Sequence, residues 1–177
     1  MNVHRVGIIM NGVAGRMGRN QHLQRAILAI RDSGGVRIGP DEAILPDPIL
    51  VGRSADKLRS LARRFDVERF TTDLDGVLSD ADYPVYFDSV ATQVRATNLH
   101  KAIAAGKHVY TEKPTATSTA DALALAEQAE AMGFCAQRMD QLILTLTARL
   151  DAAMNGEVEA ISRDDAEQWY GALGQMK

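Results

Sequence analysis

One cysteine in 177 residues, Cys135, leaves no internal disulfide framework available and fits a reducing compartment. No partners for a thiol nucleophile accompany it in the sequence, so it reads as a small core residue. Neither sign of charge dominates. The net charge of −3 gives no electrostatic reason to expect nucleic acid or an anionic membrane as a partner. The densest basic group, Arg59, Arg63 and Arg64, sits at helical spacing beside acidic neighbours and reads as a solvated helix face. No apolar run approaches the roughly 18 residues of a membrane span. The opening MNVHRVGII also lacks the apolar core of a signal peptide. The expectation is a soluble cytoplasmic protein with no metal site. Internal repeats and low-complexity segments are missing as well.

What is present is ordinary globular composition, 46% apolar and 24% charged, in a chain long enough for one well-buried domain and short for two. Apolar runs alternate with helical periods. Val6–Met10 reads as a strand and Met17–Arg31 as a helix with Leu23, Ile27 and Ile30 on one side. Residues 32–48 read as a long Gly/Pro/Asp-rich connection. Further strands are expected at Ile49–Val51, Arg69–Thr72, Val85–Val90 and Lys107–Tyr110. Helices are expected at Ala55–Phe65, Leu74–Leu78 and Thr97–Ala105, and from a Ser118 or Thr119 cap to Met132, with Gly133 as the stop. Parallel strands need crossover connections, so this alternation predicts an α/β fold, a Rossmann-type doubly wound parallel sheet with helices on both faces. Residues 1–133 form that domain, and 134–177 read as a helical tail packed on it or extending it.

The first strand runs into VGIIMNGVAGRMGR, with glycine at 12, 15 and 18. In a doubly wound sheet the first strand–helix turn faces the ligand crevice. Gly12 would let the chain turn sharply, Gly15 would remove a side chain where a pyrophosphate must come close, and Gly18 would let the helix approach the strand. The helix N-terminus would then offer backbone N–H groups and a partial positive charge to the anion. The spacing is G-x-x-G-x-x-G with Ala14 where the usual fingerprint has its second glycine, so an ordinary tight turn with packing glycines stays open.

Two further stretches bear on the same crevice. The second strand ends ILVGRS, placing Gly52 and Arg53 where an NAD-selecting carboxylate would stand, with Ser54 next. A guanidinium there suits a 2′-phosphate, which favours NADP(H) over NAD(H), although Arg53 beginning the next helix is the plainer alternative. The last strand leads into GKHVYTEKPTATS. Pro114 pushes Lys113 toward an extended backbone, from which its ammonium can serve a substrate oxygen while Glu112 tunes it or positions the cofactor. An exposed Glu-Lys pair in a loop would look the same. His22, His100 and His108 ride a helix, a helix and a strand, and read as structural or solvated.

The stretches VGIIMNGVAGRMG, LVGRSADKLRSLARRF, TTDLDGVLSD and above all KAIAAGKHVYTEKPTATSTADALALAEQAEAMG resemble the glucose–fructose oxidoreductase / inositol dehydrogenase (Gfo/Idh/MocA) family over Val6 to about Gly133. The resemblance implies a Rossmann cofactor domain in which Gly12, Val13, Ala14, Gly15, Arg16 and Met17 hold the pyrophosphate. Arg53 and Ser54 would meet the adenosine ribose or its phosphate, and Val90, Ala91 and Thr92 would line the nicotinamide side. Glu112 would lie beside the nicotinamide ribose, Lys113 would act as the acid/base group, and Pro114 would often be cis. The reaction implied is hydride transfer with a sugar-like or polyol substrate.

This chain departs from the family pattern in three ways. Arg95 stands about where the family often has a histidine, the NAD-type acid is missing, and the usual second α/β domain has no counterpart in the sequence. A non-catalytic dinucleotide-binding module that self-associates as a homodimer through its tail helices is the alternative. The GRMG run also resembles the first loop of dihydrodipicolinate reductase, but the TEKP segment does not follow that pattern.

Overall fold

A computed structural model of the chain describes residues 2–133, and the expectations for the tail lie outside them. The compact unit that carries the sheet ends at Gln128. Its six strands are β1 (Asn2–Asn11), β2 (Val36–Gly39), β3 (Glu42–Val51), β4 (Arg69–Thr71), β5 (Val85–Asp88) and β6 (His108–Thr111). Between them run α1, which is π-wound over Gly18–Leu28 and α-helical over Ala29–Asp32, then α2 (Ala55–Phe65), α3 (Leu74–Leu78) and α4 (Thr92–Ala104). A further helix, α5, spans Thr119–Ala131.

The sheet order is β2-β3-β1-β5-β6, with β4 also pairing β3, and every pairing except β2–β3 is parallel. Crossovers from β1 through β3 to β4 move one way and that from β5 to β6 moves the other. Right-handed crossovers of opposite direction put helices on opposite faces. Side-chain alternation agrees. Met10, Leu50 and Phe87 pack with Leu23 and Leu28 of α1 and with Leu58, Leu61 and Ala62 of α2. The expected doubly wound architecture is present.

Three local readings are corrected. Residues 32–48 are not a plain connection, because they contain β2 and most of β3, joined as an antiparallel hairpin. Pro46 and Pro48 disguise β3 in the sequence. In a parallel ladder alternate residues bond to opposite neighbours. Gly12 N–H bonds to Val51 C=O on the β1 side and Gly52 N–H to Thr71 C=O on the β4 side. Pro46 and Pro48 share the parity of Gly52, and they lie between Ile44, which pairs with β2, and Ile49, where pairing with β4 starts. Their missing N–H groups therefore fall in the gap between two neighbours.

In α1 the buried residues are Gly18, Leu23 and Leu28, five apart, instead of a set at 3.6-residue spacing. The wider π-turn rotates Ile27 and Ile30 partly out of the core. Helix α4 starts five positions before the expected Thr97. Its inward face carries Arg95 ahead of Leu99, Ala102 and Ile103, and a charged residue on the buried face hides the first turn from a hydrophobicity reading.

Candidate cofactor and substrate site

Strand register sets the site. Asn11 of β1 lies beside Val51 of β3 and Asp88 of β5, and Asp88 lies beside Thr111 of β6. Four parallel strands thus end in one line, and the residues that follow, Gly12, Gly52, Ser89 and Glu112, emerge along the same edge. Between β1 and β5 the winding reverses, the position at which open α/β sheets bind ligands.

The glycine loop is fixed mostly by its backbone. Gly12 has φ +87°, and a Cβ there would come within 2.7 Å of Ser89 C and Val90 N. Gly12 C=O accepts from Gly15 N–H at 3.0 Å, and helical winding begins at Arg16. A Cβ on Gly18 would meet Ser89 Oγ at 2.3 Å, so this glycine permits the close approach of α1 to the loop after β5. Ser89 ties that loop to β1 through N–H and Oγ bonds to Asn11 C=O, at 3.0 and 3.1 Å. This turn ends β5 at Asp88 and leaves the expected strand residues Ser89 and Val90 in a loop.

Gly15 differs from its two companions. A Cβ there meets only Gly12 O, at 3.3 Å, with open space otherwise. Ala14, Gly15, Arg16 and Met17 are exposed, whereas the Val13 side chain is wholly buried and leaves only its backbone available. The first turn of α1 carries no acidic residue to neutralise its positive end. An open space over a glycine beside an uncompensated helix N-terminus fits a dinucleotide phosphate.

Arg53 is exposed, and Ser54 caps α2, its Oγ accepting from Lys57 N–H at 3.4 Å. A groove of about 460 Å³ between the first turn of α1 and α2 is lined by Ala14, Arg19, Asp56, Lys57, Ser60, Leu61 and Arg64. Its three cations against one carboxylate look, in the sequence, only like parts of solvated helix faces.

On the other side, Glu112 N–H donates to Asp88 C=O at 2.9 Å, and the Lys113–Pro114 peptide is cis. Lys113 is exposed. Glu112 Oε1 accepts from His22 Nε2, and Oε2 accepts from Lys113 N–H at 3.3 Å. The His22 hydrogen bond holds the Glu112 carboxyl below the usual carboxylate range. The His22 ring packs tilted on Phe87, centroids 4.6 Å apart, and edge-on to Tyr110.

His22 has the look of a bystander in the sequence, but it faces the TEKP segment from α1, across 90 residues of chain. No local pattern announces a contact of that range. His100 does have a structural place, bonding Gln128 through both its ring and its carbonyl.

Beneath this segment lies a buried polar chain. Asn11 Nδ2 donates to Tyr86 Oη at 2.9 Å, and Tyr86 Oη–H donates to Asp88 Oδ2 at 2.6 Å. Burial, reinforced by the Asp88 charge, pushes the Tyr86 hydroxyl above the ordinary phenol range and keeps it a donor. Asp88 Oδ1 accepts from Val90 N–H at 3.1 Å and from Arg95 Nε at 3.0 Å. Val90, Ala91 and Thr92, expected on the nicotinamide side, lead from this chain into α4, with Ala91 as its N-cap residue.

With this geometry in view, the family comparison decides the class. Residues 6–138 match the model of an oxidoreductase family with an NAD-binding Rossmann fold. The chain belongs to the Gfo/Idh/MocA oxidoreductase family. A D-xylose dehydrogenase of Paenarthrobacter nicotinovorans is 45% identical over 131 residues, which are 74% of this chain and 34% of that protein. The chain thus spans about a third of the length of this curated relative.

Among solved structures, an NAD-binding oxidoreductase from Klebsiella pneumoniae superposes with a TM-score of 0.59 at 26% identity, over 73% of this chain and 32% of that one. A 3-ketoreductase from Actinomadura kijaniata, in complex with NADP, shares the fold with a TM-score of 0.55 at 22% identity, over 75% and 35%. Among the described residues no helix is long and apolar enough to cross a membrane.

Proposed function

We propose that this chain is the cofactor-binding part of an NAD(P)-dependent oxidoreductase that transfers hydride to and from a hydroxyl-bearing carbon of a sugar-like substrate, with NADP(H) favoured over NAD(H). One observation carries the reading: strand register brings the glycine loop and Lys113 out on the same edge of the sheet. In this reading Gly12, Ala14, Gly15, Arg16, Met17 and the Val13 backbone hold the pyrophosphate. Arg53 and Ser54, with the cationic groove beside them, take the adenosine ribose and its 2′-phosphate. Val90, Ala91, Thr92 and Glu112 face the nicotinamide half.

When bound, the nicotinamide supplies the hydride donor or acceptor. Lys113 Nζ then gives a proton to, or takes one from, the substrate oxygen. The name of the D-xylose dehydrogenase relative supports a sugar as substrate.

Titration with NADPH and NADH, followed by cofactor fluorescence, tests the binding half. Submillimolar binding with NADPH preferred is expected, and no binding of either at about 1 mM, a bare 4 kcal/mol, removes the reading. Arg53→Asp is expected to swing preference toward NADH. Lys113→Met is expected to keep NADPH affinity within about tenfold while abolishing turnover of any accepted aldose or polyol, because an acid/base group acts on the chemical step. Equal loss of binding and rate would contradict that role.

A further inference from the structure

We propose that Arg95, anchored on Asp88, is a positioning residue that clamps the Glu112–Pro114 segment to the end of β5 and so fixes where Lys113 stands. The inference rests on the cofactor-site reading for its purpose, but its geometry is independent of it. Arg95 is only 3% exposed. Its planar fork makes three bonds to three places: Nε to Asp88 Oδ1 at 3.0 Å, Nη2 to Val90 C=O at 2.7 Å, and Nη1 to Pro114 C=O. The acceptors belong to the end of β5, the loop after β5 and the loop after β6. No other described side chain bonds all three.

The anchor is itself immobilised. Asp88 is 0% exposed, and both its oxygens are occupied, by Arg95 and Val90 N–H on one side and by Tyr86 Oη–H on the other. Burying an ion pair costs desolvation that apolar residues of the same volume would avoid, so stability alone gives little reason for one at this position. A rigid link between two functional loops does give one.

Lys113 sits between two such links. On one flank His22 grips the Glu112 carboxylate, and on the other Arg95 grips the Pro114 carbonyl, while Lys113 itself stays exposed. A lysine at position 95 would keep the charge against Asp88 but could not span the three acceptors, because it is a point charge on a flexible stem.

Hydrogen exchange on the full chain without cofactor tests the clamp. In Arg95→Lys, exchange of the Glu112 amide, whose N–H bonds Asp88 C=O, is expected to accelerate about tenfold or more, with β1 and α2 unchanged. In Arg95→Ala, millimolar guanidinium ion is expected to slow exchange of the same amide again. The double variant Asp88→Leu/Arg95→Met, which leaves no buried charge unpaired, is expected to fold and still show the loosened segment. Exchange of the Glu112 amide that stays at the wild-type rate in the double variant, or exchange that rises equally everywhere in Arg95→Lys, overturns the proposal. Failure of the wild-type chain to bind NADPH or NADH would remove the cofactor reading and leave this result standing on its own.

Discussion

The two rims of the candidate site are built from different materials. The glycine-loop rim is shaped by backbone and by missing side chains: Gly12 and Gly18 are pressed against Ser89 and Val90, and Gly15 leaves a space open. The TEKP rim is shaped by a chain of buried polar side chains, from Asn11 through Tyr86 and Asp88 to Arg95, with His22 on its other flank. A rim of the first kind fails when an atom is added. A rim of the second kind fails when a charge loses its partner, and the stakes are higher because a charge without water must be paired where it lies.

The sharpest test of that contrast is Asp88→Ala. It leaves the Arg95 guanidinium without a counter-charge and the Tyr86 hydroxyl proton without its acceptor, in a site closed to solvent, with an expected loss of about 3–5 kcal/mol in stability, read as the urea midpoint with an unchanged slope. On the other rim Gly12→Ala forces a side chain into positive φ against backbone that cannot swing aside, at an expected cost of about 2–4 kcal/mol. If Gly12→Ala proves the more damaging of the two, the charge network is less tightly closed than its geometry indicates.

Gly15→Ala separates fold from function on the first rim. The added methyl meets one carbonyl at 3.3 Å and is otherwise in the open. Stability is therefore expected to stay within about 1 kcal/mol of wild type. Affinity for NADPH and NADH is expected to drop about tenfold or more, because the methyl occupies the space assigned to the diphosphate. Unchanged affinity would mean that the anion approaches elsewhere along the loop.

The same contrast explains what is legible in the sequence. Glycines at 12, 15 and 18 after an apolar run announce a tight strand-to-helix turn because the requirement is local and written in consecutive residues. Helices α2 and α3 are legible to the residue, each opened by a side-chain cap, Ser54 and Asp73. The buried chain is not, since its links join residues 75 and 19 positions apart and its members look like ordinary surface residues in one dimension. Arg95 illustrates the cost. Its polarity removes the first turn of α4 from view, although its bonds to Asp88 and Val90 tie that turn to the end of β5. β3 is hidden in a similar way, by prolines whose acceptability depends on which neighbour stands beside them.

The mildest perturbation reaches the outer flank of the TEKP rim, where His22 and Glu112 are each about one-fifth exposed. The Glu112 carboxyl titrates below its ordinary value of 4.5, chiefly because of the His22 hydrogen bond. A carboxyl depressed by folding adds stability that is complete above its unfolded pKa and is lost as the pH falls through its folded one. Glu112→Gln is therefore expected to cost about 1 kcal/mol or less near pH 7, and the gap to wild type should narrow as the pH falls below 4.5. Urea midpoints across that range measure it. His22→Phe, which keeps the ring against Phe87 but has no N–H to give, is expected to flatten the same acid limb, and the double variant should show no further change. Curves that stay parallel from neutral to acid pH would show that the imidazole packs beside Glu112 without bonding it, and the outer grip on Lys113 would then rest on the backbone bond from Glu112 N–H to Asp88 C=O.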